Sequence, residues 1–180
     1  MRWRNGPDRF GLITRMLHWA MGLGIIGMLG FGTVLSRMQP SLGNIWLYGL
    51  HKSVGLCLLA LVLARLAWHR ISPPPASLTE GIAPWQVAAG RWAHRLLYAL
   101  MLAVPLAGWI GSAATGIDVQ VFGLTLPNPF PVSEAWDKGG FLAHAVLTKL
   151  LMAVVALHVA GALHRALWHR DGTLRRMLRA

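Results

Sequence analysis

The sequence predicts an all-α membrane protein built as a four-transmembrane-helix bundle. Three observations lead there. The chain has 180 residues, 55% of them hydrophobic and only 13% charged, with a mean hydropathy of +0.50. A soluble domain this apolar would expose large hydrophobic patches. The apolar residues gather into four runs, each long enough to cross a hydrocarbon layer about 30 Å thick. The cations collect at the ends of those runs, mostly on one side.

Taken in order, the spans cover roughly 12–34, 46–69, 90–113 and 140–167. Backbone polar groups cannot go unpaired in lipid, so each span is expected to be a helix. At this length the whole of 1–180 is expected to form one membrane domain. The first run contains His18, exceeds the apolar core of a signal peptide and lacks a small-residue cleavage site, so it is expected to be a retained span.

The net charge of +11 raises the question of nucleic acid, but its placement argues against that partner. Arg2, Arg4, Arg9 and Arg15 open the first span, and Arg65, Arg70, Arg91 and Arg95 surround the loop between the second and third. Arg165, Arg170, Arg175, Arg176 and Arg179 close the chain. The opposite side has only Arg37, Lys52, Lys138 and Lys149, a split of thirteen to four. By the positive-inside rule both termini are expected in the cytoplasm of a bacterial inner-membrane protein. No basic-aromatic surface of the kind that binds nucleic-acid strands is present. Cys57 stands alone, and there is no C-x-x-C-H motif, so a disulfide framework and covalent c-type haem are both excluded.

Trp19, Trp68, Trp92 and Trp168 fall at inner span ends, and Trp46, Trp109 and Trp136 at outer ones, as in an aromatic belt. Ser72-Pro73-Pro74-Pro75 is a stiff inner spacer. The outer connection from Thr115 to Gly139 is the longest loop and holds Asp118, Glu134 and Asp137. It is placed to cap the bundle, to dock a partner or simply to connect.

Intramembrane ionisable residues are rare and usually functional. His144 and His158 are fourteen residues apart, which returns a helix almost to the same face and separates them by about 21 Å. His18 lies on the inner side of span one and His51 on the outer side of span two. Depth therefore pairs His18 with His158 and His51 with His144. A b-type haem takes one imidazole from each of two helices at one depth, so two such pairs suit two haems. Gly22, Gly55, Gly140 and Gly161 lie one turn from these histidines, where small residues admit a flat macrocycle or simply pack helices.

The other histidines leave alternatives open. His94 sits at a depth near His18, so an axial role, a propionate contact and a quinone contact all remain. His164 points to a different face from His158 and suits a propionate, a quinone or the interface. His69 and His169 both occur in Trp-His-Arg and read as interfacial anchors. Lys149 needs an outer propionate or a route to water. No catalytic residue is assigned.

These residues together resemble the bacterial cytochrome b561 family, related to the cytochrome b subunits of nickel-iron hydrogenases and formate dehydrogenases. The matching pieces are Arg9-Phe10-Gly11 leading to Leu17-His18-Trp19, Leu50-His51-Lys52-Ser53-Val54-Gly55 and Arg65-Leu66-Ala67-Trp68. Ala93-His94-Arg95-Leu96-Leu97-Tyr98 and the His144 and His158 pair complete a pattern running over about residues 8–178. The resemblance implies two non-covalent b haems held by His18, His51, His144 and His158, and electron exchange with ubiquinone or a related quinone such as menaquinone. One branch of the family oxidises superoxide and reduces quinone. Another occurs beside a periplasmic lipid-binding protein, and Ser72-Pro73-Pro74-Pro75 and Val119-Gln120-Val121-Phe122-Gly123 are more similar to that branch.

The expected function is a dihaem electron carrier between a periplasmic donor and the quinone pool, in contact with membrane lipid. Its rivals are a superoxide:ubiquinone oxidoreductase and a membrane-anchor cytochrome subunit of a partner dehydrogenase. A colourless transporter is a distant fourth.

Overall fold

The computed structural model describes residues 2–179. The main elements are α1 (Leu12–Leu35), α2 (Ile45–Ile71), α3 (Pro84–Ala114) and α4 (Glu134–His164). A two-stranded hairpin, β1 (Gln120–Val121) and β2 (Leu124–Thr125), lies between α3 and α4. A π-helical turn at Arg165–His169 continues α4, and a short α5 (Thr173–Leu178) follows. All four long helices have the length and composition to cross a membrane. The shortest, α1, has 24 residues, about 36 Å of rise.

The distribution of exposure is that of a protein solvated by lipid. Leu23, Leu63, Leu142 and Leu157 are all more than half exposed on helix surfaces. The buried core is small and lies between α3 and α4, where Leu97 and Leu100 meet Leu151 and Val154, with Ile25 and Leu29 of α1 added. Between helices that water does not push together, close backbone approach supplies much of the attraction. Gly111 and Gly140 provide it: a Cβ on Gly140 would lie 2.5 Å from the Gly111 nitrogen.

α1 and α2 are tied at both ends. Trp68 Nε1 donates to Thr14 Oγ1 at 2.9 Å, and Tyr48 Oη donates to the Met38 carbonyl at 3.1 Å. Trp68 therefore serves packing inside the bundle instead of a lipid-facing belt. Trp109 also turns inward, edge-on to Phe130 of the outer loop at 6.2 Å.

Two helices run further than the apolar pattern suggests. α3 starts at Pro84, six residues before the expected span. Proline is pre-set for the first helical position, and Gln86 Oε1 accepts the Ala83 N–H at 3.3 Å. α4 starts at Glu134, where Glu134 and Asp137 suit the positive end of the helix dipole. These polar turns extend past the lipid, where hydropathy carries no signal for them. Within α3, Pro105 removes one backbone donor.

Both termini and the loop between α2 and α3 share one side. Asn5 Nδ2 donates to the Ser72 carbonyl at 2.8 Å, and its Oδ1 accepts the Gly11 N–H at 2.8 Å. A Cβ on Gly11 would strike the Arg4 backbone at 2.4 Å, so this tight entry to α1 requires glycine. At the other terminus Arg165 Nη2 donates to the Leu78 carbonyl, Arg176 Nη1 to the Ala76 carbonyl and Trp19 Nε1 to the Met177 carbonyl.

On the opposite side, the hairpin turns at Phe122 (φ 47°) and Gly123 (φ 88°), the pair of positive φ values that a tight hairpin needs. Ser53 of α2 anchors it: its buried hydroxyl accepts the Phe122 N–H at 3.0 Å and donates to the Gly49 carbonyl at 2.9 Å. Asn128 Nδ2 reaches the Ala113 carbonyl at 2.9 Å and closes the loop over the end of α3.

Candidate haem sites

α4 carries one histidine of each pair. Near its start, His144 faces His51 of α2 with ring centroids 6.1 Å apart and planes at 82°. Near its end, His158 faces His18 of α1 at 6.3 Å and 61°. A metal midway between two imidazoles, with bonds of about 2 Å and each ring centre about 1.1 Å behind its nitrogen, asks for roughly 6 Å. Both pairs fit that separation.

The outer pair is sterically defined. His144 Nδ1 lies 2.8 Å from the Val104 carbonyl. A carbonyl only accepts, so Nδ1 carries the proton and Nε2 keeps its lone pair for a metal. Two glycines admit the rings: a Cβ on Gly108 would lie 2.9 Å from His144 Nδ1, and one on Gly32 would lie 3.1 Å from His51 Cε1.

The inner pair is surrounded by polar groups. Arg65 Nη2 of α2 lies 3.2 Å from His18 Nδ1. The His94 ring is 5.0 Å from His158, while His94 Nδ1 donates to the Gly90 carbonyl of its own helix at 2.7 Å. His69 and Arg65 both lie against Tyr98 of α3, at 6.1 Å and 5.7 Å from its ring centre. An apolar groove of about 570 Å³ runs between α1 and α4, lined by Ile26, Gly30, Val155 and Val159 among others and by neither histidine of this pair. Its size is in the range of small-molecule and cofactor sites.

The bundle thus brings together His18, His51, His144 and His158, with His94 beside the inner pair. His164 is elsewhere: its ring stacks on Trp168 at 6.4 Å and meets His169 at 5.1 Å. His69, expected as an interfacial anchor, instead packs against Tyr98. Lys149 is exposed on α4 with no ion pair among the described residues, and Lys138 bonds Glu134 at 2.5 Å. Among the expected glycines, Gly140 serves the α3–α4 crossing, whereas Gly22 and Gly161 face open space beside the inner pair.

Arg65 was legible as part of the basic inner rim and of the family-like Arg65-Leu66-Ala67-Trp68 segment, and it also stands fourteen residues after His51 and so on the same helix face. The spacing that singles out His144 and His158 also singles out Arg65.

A membrane-crossing helical bundle with facing histidines at both ends defines the class of membrane-bound b-type cytochromes. Within that class, a family model described as prokaryotic cytochrome b561 matches residues 9–180, and the chain belongs to this family. It is therefore a multi-pass membrane protein of an electron-transfer family that binds b-type haem. It is 31% identical to cytochrome b561 homolog 2 of Escherichia coli K12, over 99% of this chain and 95% of that protein. It is 26% identical to a Yersinia pestis protein named probable superoxide oxidase CybB, over 90% of this chain and 91% of that one. Cytochrome b561 homolog 1 of Escherichia coli K12 is 28% identical over 71% of this chain and 72% of that protein.

Proposed function

We propose that this chain is a dihaem b-type cytochrome that carries electrons across the bacterial inner membrane, between a periplasmic donor and the quinone pool. The observation that carries the reading is the presence of two histidine pairs, at 6.1 and 6.3 Å, at opposite ends of α4. His51 and His144 hold the outer haem and His18 and His158 the inner one. Bound haem supplies reversible one-electron chemistry, and the protein sets its position and environment. Two imidazoles per iron leave no open coordination position, which suits electron transfer over oxygen binding. The thirteen-to-four division of cations supports a cytoplasmic side for both termini and the inner pair.

The residues divide the work. α4 fixes the two sites about 21 Å apart along its axis, because a helix of that length does not stretch. Val104 holds the His144 ring in one tautomer. The Asn128 and Ser53 contacts hold the outer loop down on α2 and α3, so donor access is over the hairpin side. The groove between α1 and α4 opens to the hydrocarbon, the phase from which a quinone arrives.

The test is a reduced-minus-oxidised absorbance spectrum with a pyridine haemochrome assay on the purified protein. Two b haems per chain are expected. One haem would break one of the histidine pairs, and none would overturn the reading.

A second reading, superoxide:ubiquinone oxidoreductase, rests on the Yersinia pestis relative. The outer rim argues only weakly for an anion funnel, since Lys138 is bonded to Glu134. Exposing the same preparation to a superoxide flux separates the two: rapid quinone reduction would favour the enzyme.

A further inference from the structure

Arg65 has no carboxylate partner among the described residues. The chain has six acids: Asp8, Glu80, Asp118, Glu134, Asp137 and Asp171. The only ion pairs among the described residues are Lys138–Glu134 and Arg165–Asp171. Arg65 Nε is nonetheless closed to solvent with no hydrogen-bond partner, and so are Tyr98 Oη and His69 Nε2 beside it. Buried donors left without acceptors give up hydration for nothing, and a desolvated cation without an anion is the most costly case.

The contact that Arg65 makes with His18 conflicts with a ligand role for that histidine. Its guanidinium has only donors, so at 3.2 Å it requires a lone pair on His18 Nδ1. A neutral imidazole that gives Nε2 to a metal carries its proton on Nδ1. When His18 is a ligand, the guanidinium must turn to another acceptor within reach. Tyr98, against which it packs, offers only a neutral phenol oxygen, which leaves the guanidinium charge uncompensated.

Resting on the dihaem reading above, we propose that Arg65, with Tyr98 and His69, forms a carboxylate-binding site that receives a propionate of the haem held by His18 and His158. A b haem brings its own carboxylates to the ligand it binds. A guanidinium fork accepts a carboxylate in two parallel bonds, and a phenol and an imidazole beside it satisfy the remaining lone pairs. A quinone carbonyl is neutral and would leave the guanidinium charge uncompensated. The site would therefore select a macrocycle with free acid side chains, held by residues of α2 and α3.

The test compares wild type, Arg65→Met and Arg65→Lys, produced in haem-deficient cells and loaded with either haem b or haem b dimethyl ester, whose propionates are blocked. Haem per chain and the rate of haem loss to excess apomyoglobin are read for each. With haem b, Arg65→Met is expected to lose one of its two haems about tenfold faster or more, the scale of a charged hydrogen bond. Arg65→Lys should fall between. With the dimethyl ester, wild type and Arg65→Met should lose that haem at the same rate. An equal effect of Arg65→Met on both macrocycles, or no effect, overturns the proposal. So does a variant that keeps haem normally but loses binding of a ubiquinone analogue. The second haem, retained throughout, reports that the bundle is folded. Fewer than two haems in wild type would instead count against the dihaem reading.

Discussion

The two ends of α4 hold chemically similar histidine pairs in dissimilar surroundings. At the outer end the rings are placed by backbone. Val104 offers its carbonyl to His144, and Gly32 and Gly108 admit the rings where a Cβ would crowd them. At the inner end side chains dominate: Arg65, His69, Tyr98 and His94 all lie within one or two contacts of His18 and His158. A ligand held by backbone is insensitive to charge and sensitive to volume. A ligand set among ionisable side chains is the reverse. The difference teaches where each site is vulnerable.

The largest effect should come from volume at the outer end. Gly108→Val places new methyl groups where even a Cβ would be 2.9 Å from His144 Nδ1, with the ring unable to retreat from the Val104 carbonyl. Overpacking of this kind costs about 1–3 kcal/mol, so outer haem affinity should fall by roughly 5- to 150-fold. A haemochrome assay should then find one haem per chain after mild dialysis, with the inner spectrum unchanged. Retention of both haems would show that the outer pair is not sterically fixed.

The features of both sites that follow from helix periodicity were legible in sequence. His144 and His158 announce a shared face by their spacing, and the membrane depths of His18 and His51 follow from hydropathy and loop charge. What periodicity does not encode was missed. The glycines that face the rings, Gly32 and Gly108, lie on α1 and α3, across the helix interface from the histidines they admit. Neighbourhood in sequence pointed instead to Gly140, which belongs to the α3–α4 crossing. The outer hairpin was hidden because Phe122 holds a positive φ that the sequence of its turn does not advertise. The helix ends at Pro84 and Glu134 were hidden because the turns they begin are polar. His69 read only as an interfacial anchor and Tyr98 only as the end of a family-like segment, and neither signal pointed to Arg65, which meets Tyr98 across α2 and α3.

A smaller effect is expected at the inner end from His94→Ala, and it sharpens the comparison directly. His94 is a third imidazole beside a pair that needs only two, it is exposed, and its Nδ1 is spent on its own helix at Gly90. Substitutions of exposed groups away from buried networks usually cost within about 0.5 kcal/mol. His94→Ala should therefore keep two haems per chain and change only the inner absorbance band. Loss of one haem would make His94 an axial ligand and dissolve the pairing of His18 with His158.

The smallest effect on haem binding is expected from the clasp on the inner side, which holds α5 against the bundle without touching either histidine pair. Burial pushes the Asp171 carboxyl up, but the Thr173 backbone N–H and Arg165 together hold it below the usual carboxylate range. Asp171 accepts from Arg165 Nε at 2.5 Å and from the Thr173 N–H at 2.8 Å. A depressed folded-state value means stability that is complete above the unfolded carboxylate value near 3.9 and lost as pH falls through the folded one. The clasp should thus be unaffected between pH 5 and 8 and loosen only in stronger acid. Asp171→Asn keeps an acceptor but removes the charge of a pair at the end of the bundle, worth about 0.2–1 kcal/mol, locally and not in either haem site. Limited proteolysis near Arg170 should accelerate in the variant at neutral pH while haem content stays constant. Loss of haem with the clasp would mean that the inner site depends on the C-terminal segment, and that its surroundings extend beyond the side chains of α2 and α3.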